Sequence, residues 1–192
     1  MSIFKEEWIA ELASEDDGAR RHGASQIFAA GRARAFPIVR GWLANEELRR
    51  LLSDEPAVTV GLAVRPETFA KIREANGWPR LTEVPPEQDA SEFELLFADR
   101  VALDVLTSRE PEGDGAIAKF LVKFGEGVQQ VELRCSDVGR ATGILREAFG
   151  IAAVYPETRP GADGTRVNFF LVAGADGRRV LIELYEASEI RF

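Results

Sequence analysis

The sequence contains few of the side chains that usually carry metal or nucleophilic chemistry. Its 192 residues include one cysteine, Cys135, and one histidine, His22. A single cysteine excludes an intrachain disulfide and a thiolate metal cluster, and it agrees with a reducing compartment. A single histidine argues against a zinc site built from imidazoles. We expect Cys135 to be an ordinary core residue and His22 to be a surface residue with a local hydrogen bond.

Long apolar runs and excess positive charge are also missing. No run approaches the ~20 apolar residues of a membrane span, and the acidic start of the chain is unlike a secretory signal. The net charge is −8, which opposes binding to a polyanion. The hydrophobic content of 45% permits a sizeable core. These features predict a globular cytoplasmic protein that binds a small molecule and neither nucleic acid nor a membrane.

Residues 1–55 are predicted to form a small all-helical segment. Apolar residues recur at helical spacing through residues 3–52, and we expect four glycines to break this region into short helices, with Pro37 opening one of them. The glycines are Gly18, Gly23, Gly31 and Gly41. Residues 19–52 resemble one unit of a HEAT-type helical repeat, which cannot bury its apolar face alone. The segment should therefore pack on the rest of the chain or on another subunit, through Trp8, Phe28, Phe36 and Trp42.

The same segment carries a run of arginines with no acid among them. These are Arg20, Arg21, Arg32, Arg34 and Arg40. They could contact the phosphates of a coenzyme or an acidic partner. A solvated helix face is the alternative interpretation.

From Val58 onward the chain follows one pattern twice. The first pass has strands at 58–64, 93–97 and 101–106 and a helix at 66–77; the second has strands at 128–135, 167–172 and 180–185 and a helix at 136–150. Residues 81–84 and 152–155 could supply a further strand to each pass. A repeat of ~70 to 80 residues indicates a duplicated module more than a solenoid. We predict an α+β fold with two βαβββ modules forming a half-open barrel at 57–187: module one at 57–107, a linker and helix at 108–127, and module two at 128–187.

Strand parity predicts which side chains face the cavity of this barrel, because alternate residues point to opposite faces. The aliphatic rows in the first and last strand of each module are expected to lie under helices. The polar residues between them then face inward, in symmetry-related pairs: Thr59 with Gln130, and Asp104 with Glu183. Glu132 and Arg134 share the face of Gln130, and Tyr185 shares the face of Glu183. A carboxylate between aliphatic residues is costly to bury without a partner, which is the reason to expect a site here.

Three motifs carry a family resemblance: residues 116–133 (AIAKFLVKFGEGVQQVEL), 157–171 (ETRPGADGTRVNFFL) and 180–186 (VLIELYE). With them, residues ~57–187 resemble the vicinal-oxygen-chelate superfamily, which includes glyoxalase, extradiol dioxygenases, methylmalonyl-CoA epimerase and bleomycin-binding proteins. Within this superfamily, the motifs resemble those of methylmalonyl-CoA epimerase most. Three motifs in the right order are more specific than any one of them.

The resemblance implies metal ligands at the four inward positions, and this chain departs from it. It implies histidines at Thr59 and Gln130, a glutamine or glutamate at Asp104, and a glutamate at Glu183, of which only Glu183 matches fully. Threonine and glutamine are poor ligands, so we expect no firmly held metal; the two carboxylates could bind a hard divalent cation loosely. For epimerisation the resemblance implies two bases, Glu183 and either Glu92 or Glu94, which could remain without the metal.

Three interpretations of function follow. The first is a metal-poor relative of the epimerase and glyoxalase that binds a small organic acid or thioester, with residual isomerase or lyase activity through proton abstraction. The second is a non-catalytic binding protein of the bleomycin-resistance type, whose cavity or homodimer groove holds a hydrophobic ligand between Phe170, Tyr185 and Trp78. The third is an interaction scaffold that docks a partner through its helical segment.

Overall fold

The structure, a computed structural model, describes residues 4–174 and 177–187. Its helices are α1 (Glu6–Leu12), α2 (Asp17–Trp42), α3 (Glu46–Leu52), α4 (Pro66–Ala75), α5 (Ala116–Phe124) and α6 (Val138–Phe149). Its strands are β1 (Val58–Ala63), β2 (Ser91–Leu96), β3 (Ala102–Thr107), β4 (Gly127–Arg134), β5 (Arg159–Pro160), β6 (Arg166–Ala173) and β7 (Arg179–Glu186). The predicted α+β class is confirmed, with a helical N-terminal segment before two successive modules.

Contacts divide the chain into two compact units, and each takes part of the helical segment. Unit one joins the residues up to Gly31 with Thr59–Gln129, and unit two joins Arg32–Val58 with the residues from Gln130 onward. The units therefore follow the two modules closely. The helical segment is shared between them and packs within both.

Unit one contains a sheet in the order β2-β3-β1. Strand β1 is parallel to β3, with Gly61 opposite Asp104, and β2 is antiparallel to β3. Helix α4 covers one face, where the Phe69 and Phe93 rings meet edge to face at 4.8 Å. Pro66 suits the first turn of α4, because its missing N–H would have no partner there. Helix α5 contacts the other face of the sheet, where Leu121 and the β-strand residues Ala63 and Leu106 form a small apolar cluster.

Unit two contains a sheet in the order β4-β7-β6-β5. Strand β4 is parallel to β7, and β6 is antiparallel to both β7 and β5. The residues beneath the helices are buried in each strand: Val131 and Leu133 in β4, and Ile182 and Leu184 in β7. Helix α6 begins at Asp137, whose carboxylate accepts a hydrogen bond from Arg140 N, and ends before Gly150 in the left-handed conformation. The predicted covered rows of this module are confirmed.

Residues 81–84 and 152–155, considered as further strands, form no regular strand. Thr82 N donates to Glu92 O at 2.9 Å, and Val154 N donates to Phe169 O at 2.7 Å. These segments therefore run beside β2 and β6 without continuing the ladder. No helix among the described residues combines the length and the apolar character that crossing a bilayer requires.

The expectation that glycines break the N-terminal region into short helices is wrong, because α2 runs for 26 residues through four glycines and Pro37. A glycine inside a helix costs about 1 kcal/mol relative to alanine. Two of these glycines permit close packing that offsets the cost. A β-carbon on Gly23 would lie 2.6 Å from Trp8 O in α1, and one on Gly31 would lie 2.5 Å from Val60 Cγ1 in β1. Sequence periodicity cannot show that a glycine is needed for such an approach.

The predicted anchors of the helical segment pack within the two units to different extents. Trp8 is buried in unit one, and Trp42 is buried in unit two with its ring 6.2 Å from that of Phe170. Phe28 and Phe36 are half-buried. The prediction that the segment packs on the rest of the chain is thus confirmed, whereas a HEAT-type relationship is not confirmed.

Candidate functional site

The predicted site residues fall into two sets, one in each unit. Thr59, Glu92, Glu94 and Asp104 lie in unit one. Gln130, Glu132, Arg134, Phe170, Glu183 and Tyr185 lie in unit two. That both sets line one cavity stays a prediction, so each is described by itself.

The polar cluster of unit two consists of Gln130, Glu132 and Glu183. Parallel pairing of β4 with β7 places Glu132 opposite Glu183 on the same face of the sheet. Gln130 Nε2 lies 2.8 Å from Glu183 Oε2 and 3.1 Å from Glu132 Oε1. All three side chains are half-buried. Two like charges on neighbouring strands repel each other, and the amide reduces that cost by donating one hydrogen to each carboxylate.

An aromatic wall lies beside this cluster. Phe169 is directly opposite Glu183 in the β6–β7 hairpin, and the Tyr155 ring packs edge to face on Phe169 at 6.0 Å. The guanidinium of Arg159 stacks on Tyr155 at 4.3 Å from the ring centroid. Glu183 therefore has a hydrogen-bond donor, Gln130, in sequence-distant β4 and an aromatic neighbour in β6.

The placement of Phe170 in the cavity is wrong. Phe170 is fully buried on the helix-covered face, opposite Ile182 and against Trp42. Phe169 has the role expected of Phe170, because it shares the face of Glu183. The three consecutive apolar residues at 169–171 hide the parity of this strand, so only the pairing register of the hairpin could have resolved it.

The remaining residues of the unit two set lie on the expected face. Tyr185 is half-buried and pairs with Arg134, which is exposed at the end of β4. These two residues extend the face of Glu183 toward solvent. The third predicted aromatic, Trp78, belongs to unit one, where it is 58% exposed and lies under the guanidinium of Arg73.

In unit one, Thr59 and Asp104 are both buried, with 7% and 9% of their surfaces exposed. Both side chains point to the same face of the sheet. On that face Glu94 lies directly opposite Asp104, and Glu92 lies opposite Leu106. Glu94 is exposed, and Glu92 is half-buried. The register brings Glu94 rather than Glu92 to Asp104.

The donor set of unit two does not fit a divalent metal. The Nε2 of Gln130 lies between two carboxylates and directs its hydrogens toward them. A metal ion between these side chains would instead need a lone pair from Gln130. Turning the amide would place its oxygen against two negative charges. Among the residues that the structure describes, no group of three or more His, Cys, Asp or Glu side chains is arranged to hold a metal ion.

Comparison with known proteins identifies solved structures that have a similar fold. No family model matches the chain, and no curated protein does either. Solved structures do match: the methylmalonyl-CoA epimerase of Mycobacterium tuberculosis is 29% identical, with a TM-score of 0.57, over 72% of this chain and 91% of that one. The fold is that of the vicinal-oxygen-chelate proteins.

Two further structures agree with this relationship. A hypothetical protein from Bacillus halodurans C-125 is 25% identical, with a TM-score of 0.56, over 70% of this chain and 95% of that one. A methylmalonyl-CoA epimerase variant from Streptomyces coelicolor, solved in complex with 2-nitronate-propionyl-CoA, is 27% identical, with a TM-score of 0.52, over 68% and 95% of the two chains. This chain is thus similar in fold to an epimerase variant solved with 2-nitronate-propionyl-CoA.

Proposed function

We propose that this protein binds a small organic acid or acyl thioester and moves a proton on the carbon next to its carbonyl, with Glu183 as a base. The observation that carries the proposal is the contact between Gln130 Nε2 and Glu183 Oε2 at 2.8 Å. It fixes a half-buried carboxylate on the inner face of the last strand. The similarity to methylmalonyl-CoA epimerases supports the substrate class.

Glu183 has the surroundings that such a base requires. A general base must hold its lone pair toward the substrate while a neighbour fixes its orientation. Gln130 donates to one oxygen, Oε2, and so orients the carboxylate. Phe169 offers an apolar surface next to the carboxylate.

The proposal differs from the resemblance in how the developing negative charge is stabilised. Removing a proton next to a carbonyl creates an enolate oxygen, and stabilising it is usually the largest contribution to catalysis. Gln130 and Glu183 do not fit a metal ion that would stabilise this oxygen. Neutral hydrogen-bond donors contribute less than a cation, so we expect slow turnover.

The second base of an epimerase is assigned to Glu92 or Glu94. They point to the same face of β2, and in the register Glu94 lies opposite Asp104 while Glu92, two residues earlier, lies opposite Leu106. If Glu94 serves, it lies directly opposite Asp104 across the strand pair. If Glu92 serves, it is half-buried and lies opposite Leu106.

Hydrogen–deuterium exchange at the carbon next to the thioester tests the proposal. The full chain is incubated in D2O with methylmalonyl-CoA and a panel of other acyl-CoA thioesters, with and without divalent ions. We expect exchange with the wild type and a loss of about 100-fold or more in Glu183→Gln, the usual contribution of a general base. Glu147→Gln, at an exposed site in α6, removes the same charge and should leave the rate unchanged.

Absence of exchange under every condition would overturn the catalytic form of the proposal. Thioester binding is then measured by thermal shift. Ligands that stabilise the wild type and Glu183→Gln equally would establish a non-catalytic binding protein. If Glu92→Gln and Glu94→Gln each retain full racemisation, the assignment of the second base is wrong.

A further inference from the structure

A pocket of about 580 Å³ lies within unit one, and the proposed function does not use it. Its walls come from the first turn of α2, the C-terminal end of α4 and the residues that follow β2. The α2 wall belongs to the N-terminal segment, which the sequence resemblance does not include. A volume of this size is ordinary for a small-molecule site, since these range from about 300 to 1,000 Å³.

Two arginines give the pocket a positive character. Arg20 and Arg21 line it with Asp17, whose Oδ1 lies 3.2 Å from Arg20 Nη2 and whose Oδ2 lies 2.7 Å from Arg21 Nη2. Two guanidinium groups against one carboxylate leave a net charge of +1 here, on a chain whose net charge is −8. The side chains that line the pocket therefore have the sign of charge that an anion requires.

The guanidinium of Arg20 is held in place by the protein rather than by solvent. Its Nη1 donates to the carbonyl oxygens of Ser14 and Glu15 at 2.9 and 2.8 Å, and its side chain is 16% exposed. With the bond to Asp17, these contacts use three of the five donors of a guanidinium. Arg21 is 63% exposed and can turn its planar group toward a ligand. One fixed and one adaptable guanidinium suit the bidentate binding of an oxyanion.

The opposite wall is also fixed, and its edge is apolar. Asn76 Nδ2 donates to Leu12 O at 3.0 Å and to Ile72 O at 2.8 Å, which ties the end of α4 to the end of α1. Leu96 lines the pocket with 72% of its surface exposed, together with Ala98. An exposed leucine beside paired arginines favours a ligand that has both a negative group and a short apolar part.

We propose that this pocket binds a small oxyanion with a short apolar group, such as a short-chain carboxylate, through Arg20 and Arg21. The carboxylate accepts hydrogen bonds from the two guanidinium groups while its alkyl part contacts Leu96. Asp17 competes with the ligand for the same donors. This inference is independent of the proton-transfer reaction assigned to Glu183.

Titration with sodium propionate and, in a separate arm, inorganic phosphate tests the proposal in the full chain. The arginine Nε–Hε resonances are followed by NMR. We expect saturable shifts for Arg20 and Arg21 in the propionate arm. Arg146, an exposed arginine beside Glu147 in α6, reports non-specific ion effects and should shift only linearly. Stronger saturation with phosphate would still establish an anion site and would assign it to phosphate groups.

Two variants separate a binding pocket from a structural ion pair. Arg21→Gln should weaken propionate binding by about tenfold, because it removes a charge-assisted contact. Asp17→Asn should strengthen binding, since it removes the competing carboxylate. It leaves the cap of α2 intact, because there Ala19 N donates to Asp16 Oδ1. Arg146→Gln should leave binding unchanged. Linear shifts at all three arginines, or saturation that Arg21→Gln does not weaken, would overturn the proposal.

Discussion

Gln130 Nε2 lies 2.8 Å from Glu183 Oε2, so an amide occupies the position at which the family resemblance implies a histidine. The same nitrogen lies 3.1 Å from Glu132 Oε1. An imidazole can give a metal its lone pair, whereas this amide gives hydrogens to two carboxylates. Under the proposed function, Gln130 therefore orients a base where the resemblance implies a metal ligand.

Replacing Gln130 with leucine should destabilise the protein. The variant leaves Glu132 and Glu183 opposite each other without the shared donor, and losing a hydrogen bond to a charged group costs about 1.5–3 kcal/mol. Unfolding in denaturant measures the free energy. Combining Gln130→Leu with Glu132→Gln should recover part of the loss, because only one carboxylate then remains. Equal stability of the wild type and Gln130→Leu would show that the contact contributes nothing.

Restoring a histidine at this position should create metal affinity. Gln130→His places an imidazole next to two carboxylates, a donor set that suits zinc and cobalt. We expect calorimetry to show binding of Co²⁺ or Zn²⁺ to the variant at least about tenfold tighter than to the wild type. Gln26→His adds the same imidazole in α2 as a control. If the wild type binds the metal as tightly as the variant, the amide does not block the site.

The close approach of α2 to β1 can be tested with two glycines of the same helix. Gly31→Ala should destabilise the protein by about 1–3 kcal/mol, since its β-carbon would lie 2.5 Å from Val60 Cγ1. Gly41→Ala meets no atom within 4 Å and should stabilise the helix by up to about 1 kcal/mol. Thermal unfolding compares the two. Val60→Ala should relieve the first defect, and a Gly31→Ala protein as stable as Gly41→Ala would refute the contact.

Cys135 should make stability depend on alkaline pH. Burial raises the pKa of its thiol to about 11, helped by the nearby carboxylates of Glu186 and Asp137. The folded state therefore favours the neutral thiol. This preference adds to the free energy of unfolding by roughly 1.4 kcal/mol for each unit by which the pKa is raised. The whole contribution is present below the ordinary pKa of about 9 and is lost as the pH rises to about 11. The stability gap between wild type and Cys135→Ala should narrow over that window. A constant gap from pH 8 to 11 would contradict the assignment.

The sequence predicts the two faces of the last strand, β7, well because burial there alternates from residue to residue. Val180, Ile182 and Leu184 are buried on one face, and Leu181, Glu183 and Tyr185 are half-buried on the other. In such strands the period alone assigns each face. The buried row also predicts that Glu183 needs a partner. That Gln130 is one of its hydrogen-bond partners depends on the parallel β4–β7 register, which no local pattern encodes.

The parts that sequence could not predict depend on contacts between distant segments. Gly23 and Gly31 lie inside α2, at positions where atoms of other segments come too close for a larger residue. Helix propensity alone predicts a break there. Phe169 and Phe170 are adjacent apolar residues, so the pairing with Glu183 decides which one faces the site. The anion pocket joins the ends of three elements, and its arginines alone are also compatible with a solvated helix face.

The exchange rate of the metal-stripped protein tests the central claim most directly. The claim is that Glu183 acts as a base oriented by Gln130, without a metal at its side. Wild-type protein treated with a chelator is assayed for deuterium incorporation into methylmalonyl-CoA, before and after one equivalent of a divalent ion is added. The account predicts a slow rate that the ion does not change and that Glu183→Gln abolishes. No exchange with the chelator and full activity on adding one equivalent would contradict it.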